Sequence, residues 1–202
     1  MTARRTTALA GAALIASMLA PTAGAAVAPV GDDRAAAAAK TRLTFTVDDC
    51  EGCEISLISA KENAAGDGLD VWQSKTREVV DGEVTFKLAT KHTWGLSANV
   101  VAPWEGGLGY VTNLVWRYNG EGVGDAVSLD EAVTKRRASA CWEGTRQRTV
   151  TVPIVVEEVE VDGVQGRTPG TIAYVPTTES WLKPMRRAYD GVIGSQDVNV
   201  CR

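Results

Sequence analysis

Cys50 and Cys53 sit in the run Asp48-Asp49-Cys50-Glu51-Gly52-Cys53-Glu54, a spacing that invites redox chemistry. A reactive thiolate needs a helix N-terminus or nearby cations to lower its pKa. Here Asp48, Asp49, Glu51 and Glu54 flank the pair and disfavour the anion. The next residues, Glu54-Ile55-Ser56-Leu57-Ile58-Ser59, alternate like a strand rather than a helix. The spacing therefore points to a structural bridge closing a tight strand-to-strand turn. In an oxidising compartment Cys141 and Cys201 form the remaining pair, tying the C-terminus to the middle of the chain. Zinc held by the four cysteines is the weaker alternative, since a long gap separates Cys53 from Cys141 and no second C-x-x-C follows.

His92 is the only imidazole, in Thr90-Lys91-His92-Thr93-Trp94. With no G-x-S-x-G elbow to supply a nucleophile, it reads as a loop spectator. One imidazole also excludes a multi-histidine metal centre. Asp48, Asp49, Glu51 and Glu54 are a weak calcium candidate, because a hard cation wants six to eight oxygens and their spacing matches no EF-hand. Glu158, Glu160 and Asp162 fall on one face of a regular strand, with neighbours about 6.6–7 Å apart at Cα. Paired carboxylates of that kind could serve glycoside hydrolysis, and a solvated face explains them equally well. The aromatic residues are the better lead. Among six tryptophans, Trp94, Trp104 and the nearby Tyr110 flank a strand and a glycine-rich turn, and such rings on a β-sandwich suit sugar faces and protein hot spots. Trp116, Trp142 and Trp181 read as core or anchoring residues, with Trp142 packed on a disulfide.

Short strands must position these groups. Leu43, Phe45 and Val47 alternate with polar residues, as do Ile55 and Leu57. Lys61 to Leu69 is a loop by composition, and Val71 to Lys75 is short and extended. Asp81-Gly82 lies between two alternating runs and predicts a hairpin through a type I′ turn, with Val84, Phe86 and Leu88 on one side. Leu96 to Pro103 reads as a strand, and so does Tyr110 to Tyr118, with Thr112, Leu114, Trp116 and Tyr118 sharing a face. Ser128-Leu129-Asp130-Glu131 is a capping box, predicting a helix from Leu129 to Ala138 closed by Lys135, Arg136 and Arg137. In Thr149 to Asp162 the apolar parity changes after Val156, which implies a bulge or a strand changing sheets, and Pro153 implies an edge. Thr171 to Val175 is a strand, Ser180 to Ala188 a second short helix, and Asp197 to Cys201 a last strand. The total predicts an all-β sandwich with two short helical insertions.

The first 25 residues read as a signal peptide: Arg4 and Arg5, an uncharged stretch to Ala20, then Ala23-Gly24-Ala25 as a cleavage site. The uncharged run is shorter than a membrane span prefers, so no stable membrane anchor is expected. Residues 26–41 read as a flexible Ala-rich leader and 42–202 as the secreted domain, with a division into two sub-lobes open near 119–148. A formal net charge of −4 argues against a nucleic-acid binder, and no cofactor is implied.

From Leu43 to Pro103 the order is strand, acidic turn, strand, loop, then Asp81-Gly82-Glu83-Val84-Thr85-Phe86 and a strand ending Val100-Val101-Ala102-Pro103. This stretch resembles the prealbumin-like and collagen-adhesin B-type sandwich repeats of surface proteins. The resemblance implies an immunoglobulin- or prealbumin-like sandwich and no functional residue, since the isopeptide motif common in those repeats has no counterpart here. The whole chain also looks like exported proteins of actinobacteria, a similarity that brings no activity with it. The combined expectation is a disulfide-stapled exterior protein that acts by binding an extracellular protein or wall polymer. The alternatives are a carbohydrate-active enzyme using Glu158 and Glu160, or an inhibitor presenting Asp48 to Glu54 as a rigid loop. Intact protein should show no free thiol, and a non-reducing digest should join Cys141 to Cys201; recovery of Cys50 linked to Cys141 would overturn the pairing.

Overall fold

The computed structural model describes residues 39–106, 112–118, 121–132, 138–163 and 166–181. The expected signal peptide, the leader up to residue 38, Tyr110, Lys135 to Arg137, the strand at Asp197 to Cys201, and all of the second helix beyond Trp181 lie outside these residues.

Strand β1 (Lys40–Asp48) shows why the first sheet forms. Leu43, Phe45 and Val47 are buried, while Thr44 and Thr46 between them are only half-buried and Arg42 before them is exposed. On one side β5 (Glu83–Ala89) pairs antiparallel, setting Leu43 opposite Phe86 and Phe45 opposite Val84. On the other side β10 (Thr149–Gly163) pairs parallel, setting Leu43 against Val150 and Val47 against Ile154. Matching pairs share a face, so three strands project one apolar layer. β11 (Gly166–Tyr174) completes the sheet in the order β11-β10-β1-β5.

The second sheet centres on β2 (Glu54–Glu62), bordered by β3 (Leu69–Gln73) and β6 (Leu96–Val101), with β4 (Arg77–Glu78) pairing its start and β7 (Thr112–Asn113) added beyond β6. Ile55, Leu57, Ala98 and Val100 from this sheet join Phe45, Phe86 and Val152 from the first in one apolar cluster. Trp116 fills its centre, 5.9 Å from the Phe45 ring and stacked 5.2 Å from Trp142. Trp181 packs against the edge of Trp142, and the Cys141 bridge beside it runs to a partner outside the described residues. The described residues are mostly β, in two large sheets and a small two-stranded one, consistent with the all-β expectation.

Several local readings change. Asp81 and Gly82 do have positive φ, 54° and 70°, as a type I′ turn requires. The strands on either side do not form a hairpin, however. Only Val80 and Glu83 bridge; β4 pairs with β2, while β5 pairs with β1. The turn carries the chain between sheets. Local sequence selects a turn type, whereas strand partners are chosen by burial far along the chain. The Cys50–Cys53 turn likewise links β1 to β2 across the two sheets.

The run toward Tyr118 is not one strand. Between β7 and β8 (Arg117–Tyr118), the segment Leu114–Trp116 is buried on both sides: Leu114 and Trp116 in the main cluster, Val115 in a second. That second cluster also takes Tyr118, Val127, Ala132, Ile172 and Tyr174. The parity change in β10 has the same cause. Its register with β11 runs unbroken from Val155–Tyr174 to Gly163–Gly166, so there is no bulge and no change of sheet. Val155 and Val159 simply turn the other face of β10 toward the second cluster. The described residues from 39 onward fall in one unit and form two apolar clusters. Pro153 does lie where β10 has only β1 beside it, since pairing with β11 begins at Val155.

The capping box forms. The Ser128 amide and hydroxyl both donate to Glu131 Oε2, at 2.7 and 2.9 Å, and the Glu131 amide donates to Ser128 Oγ at 3.4 Å. The helix it starts is described over Leu129–Ala132, and Ala138 already belongs to β9 (Ala138–Ser139), paired with β8. At the other end, Lys40 and Thr41 belong to β1, not to a leader. Thr41 is buried, and its hydroxyl lies 3.0 Å from that of Thr90 and donates to the Gln147 carbonyl at 2.9 Å.

One glycine holds the loops together near that corner. Gly144 has φ +97°, and a Cβ there would fall 2.8 Å from the Thr93 carbonyl oxygen. Gly144→Ala should therefore cost about 1–3 kcal/mol of stability, read as a lower urea midpoint at unchanged slope; an unaltered midpoint would contradict this packing.

Candidate functional site

The inner face of β2 changes character along its length. Ile55 and Leu57 enter the core, but Ser59 and Lys61 continue the same face. Opposite them on β3 stand Trp72 and Asp70, registered to Ser59 and Lys61 respectively. The β2–β3 hairpin thus carries its inward face past the apolar cluster into a polar end.

A single 3-10 turn, Thr90–Thr93, covers that end as the chain leaves β5. The Thr93 hydroxyl donates to the Thr90 carbonyl at 2.7 Å, and the Thr145 amide donates back to Thr93 Oγ1 at 3.0 Å. Ser59 Oγ donates to the Trp94 carbonyl at 2.9 Å, tying the turn to β2. The turn brings His92 flat onto Trp72, with ring centroids 4.6 Å apart and an interplanar angle of 14°.

Hairpin and turn border an open cavity of about 520 Å³, within the usual range of small-molecule sites, about 300–1,000 Å³. The Trp72–His92 stack lines it with Lys61, Lys91 and Asp70. Leu69 and Val71 border it from the exposed side of β3. Burial, then the ammonium groups of Lys91 and Lys61, hold the imidazole below its ordinary pKa. The site pairs an aromatic stack with more cationic than anionic groups.

Of the residues expected from sequence to form a platform, Trp94 and Trp104 are described. Trp94 is half-exposed before β6, whereas Trp104 follows the far end of that strand, on the order of 25 Å away. Trp104 packs against the core and its indole N–H donates to the Gly170 carbonyl at 3.2 Å. Tyr110 lies outside the described residues.

The acidic turn keeps Asp48, Asp49, Glu51 and Glu54 exposed. Among the described residues no three His, Cys, Asp or Glu side chains converge. Glu51 instead accepts the Asp81 and Gly82 amides, at 3.1 and 3.2 Å. Cys50 and Cys53 are buried and bonded to each other. Cys141 is buried and in a disulfide; Cys201 lies outside the described residues. Glu158 and Glu160 are exposed on the β10–β11 hairpin, Glu160 3.3 Å from Arg167, and neither reaches the cavity.

Sequence reasoning missed Trp72 and dismissed His92. No periodicity links residues twenty positions apart, and only the β2–β3 register with the position of the 3-10 turn brings them together. It also passed over Glu105, in the turn Pro103–Glu105, whose side chain is 1 % exposed. Neither carboxyl oxygen has a hydrogen-bond partner of good geometry among the described residues. Burial pushes the carboxyl above its ordinary pKa, and the nearby Thr171 hydroxyl and Ala102 backbone offset only part of this.

Comparison with known protein families, curated proteins and solved structures finds no match to the chain. Among the described residues, no helix is long and apolar enough to cross a membrane.

Glu105 has a consequence for stability. Below its ordinary value of 4.5 the folded and unfolded chains are both protonated there, and the residue is neutral to stability. As pH rises, the unfolded chain releases the proton first, so stability falls until the folded carboxyl also ionises. Glu105→Gln should therefore be more stable than the native chain at neutral pH, with the gain shrinking toward acid. Denaturant titrations across that range check this, and a destabilised variant at neutral pH would refute it.

Proposed function

We propose that this chain is a secreted, disulfide-stabilised binding module of the bacterial exterior, which holds a wall polymer in the cavity between the β2–β3 hairpin and the Thr90–Thr93 turn. The observation that carries this reading is the Trp72–His92 stack lining a cavity of about 520 Å³. A ring surface bordered by polar groups suits the apolar faces and hydroxyl edges of sugars. Export is supported by Arg4, Arg5 and the Ala23-Gly24-Ala25 site, and by cysteines placed for bridges. An immunoglobulin- or prealbumin-like sandwich is the fold type favoured by two sheets sharing one apolar cluster. An enzyme is less favoured. The cavity is lined by one carboxylate, Asp70, where hydrolysis of a glycosidic bond wants two.

The test is co-sedimentation of the mature protein with cell walls, chitin, cellulose and insoluble glucans. Saturable pelleting with one polymer is expected. Trp72→Ala or His92→Ala should abolish it, while Glu160→Gln on the other sheet should leave it intact, with thermal melts showing that each variant is folded. No pelleting with any polymer would overturn the reading and move attention to β3, an edge strand whose Leu69 and Val71 are 45 % and 55 % exposed and so suited to a protein partner.

A further inference from the structure

Resting on the polymer-binding reading, we infer that the cavity recognises an acidic saccharide, its carboxylate or phosphate held by Lys61 and Lys91 beside the Trp72–His92 stack.

The charge around the site favours this. The chain is acidic overall, with a formal net charge of −4. The cavity departs from that balance: Lys61 and Lys91 line it against Asp70 alone. The two cations come from different elements, Lys61 from β2 and Lys91 from the covering turn, so their convergence is a product of the fold. Ammonium groups lining one cavity repel each other, and an anion between them offsets that cost. The stack supplies the second half of the recognition. His92 is fixed against Trp72 before any ligand arrives, so the ring surface needs no ordering on binding. An acidic sugar offers both features, a ring face and an anionic group.

His92 adds a linkage. The charged groups facing it are Lys91 from its own turn, Lys61 from β2 and Asp70 from β3; Trp72 stacks on it without charge. Lys91 and Lys61 oppose its protonation, as does burial. An anion set among them offsets those ammonium groups and favours the imidazolium. The proton comes from solvent, and by reciprocity a protonated His92 favours the anion. Binding should therefore tighten as pH falls.

The experiment is calorimetry on the mature chain with three probes: an oligogalacturonide, a short glycerol-phosphate polymer and a neutral cello-oligosaccharide. Each is run at about pH 5.5 and 7.5, on either side of the ordinary imidazole range. One or both acidic probes should bind more tightly than the neutral one, and whichever binds identifies the anion as carboxylate or phosphate. The Lys61→Gln/Lys91→Gln double variant should weaken that binding roughly tenfold or more. Asp70→Asn should tighten it, a gain that misfolding cannot imitate. Affinity should rise toward the lower pH in the native chain and lose that dependence in His92→Gln. Equal binding of neutral and acidic probes, unmoved by the lysine and Asp70 variants, would overturn the acidic preference while leaving a polymer-binding module. Failure of all three probes, together with failure to pellet with any polymer, would overturn both.

Discussion

Two crossings between the sheets are locked to each other, and the remaining strand order depends on that lock. At one, the chain passes from β1 to β2 through the Cys50–Cys53 turn; at the other, it passes from β4 to β5 through Asp81-Gly82. Glu51 accepts both amides of the second turn. Backbone bonds run from Gly52 to Val79, from Val79 to Cys53 and from Val47 to Gly82, each between 2.8 and 3.1 Å. A one-residue slip in any of these strands would send its apolar face to solvent. The lock sets the β1–β5 and β2–β4 registers together, so Phe45 and Phe86 on one sheet face Ile55 on the other. Glu51 among the acidic residues around the cysteines is thereby given structural work.

The chemistry gathers where β2 runs on from that lock. Near the crossings the inner face of β2 is sealed by the opposing sheet, and Ile55 and Leu57 suit it. Further on, the apolar cluster gives way to polar residues. Ser59 secures the covering turn, and Lys61, Asp70, Trp72 and His92 surround a cavity. A concave site between a hairpin and a short turn requires no loop of its own. The turn is held by side-chain and backbone bonds from β2 and from residues 142–145, so its aromatic stack is preset rather than assembled by a ligand.

Buried polar groups mark where this economy fails. Glu105 beneath the Pro103–Glu105 turn, and the Trp116 N–H in the core, lack hydrogen-bond partners among the described residues. Such groups cost stability, and the Trp116 indole offsets its cost by large apolar area and by stacking with Trp142. The second apolar cluster handles its phenols unevenly. Tyr174 donates to Glu157 at 2.6 Å, whereas burial holds the Tyr118 hydroxyl protonated. That cluster explains why β10 buries one face early and the other later, and why the segment before Tyr118 has no exposed side.

Much of the local structure was legible in the chain itself. Alternation in β1, β2, β5 and the first half of β10 reports burial on one face, and that periodicity is intrinsic to a strand. The positive φ of Asp81 and Gly82 and the Ser128–Glu131 capping box were equally readable, because each is satisfied by residues three or fewer positions apart. Partner choice was not readable. Asp81-Gly82 predicts a turn, but which strands flank it depends on competing long-range burial, and here it separates two sheets. Faces buried on both sides, at Leu114 to Trp116 and along β10, erase or shift the alternation on which such readings rest. The candidate site was hidden most fully. Trp72 and His92 carry no shared pattern, whereas Trp94 and Trp104 could be placed at the two ends of a strand. Sequence thus determined which short segments extend, turn or cap, since those depend on neighbouring residues. Only the tertiary structure decided which of them meet, since contact between distant residues follows from register and packing.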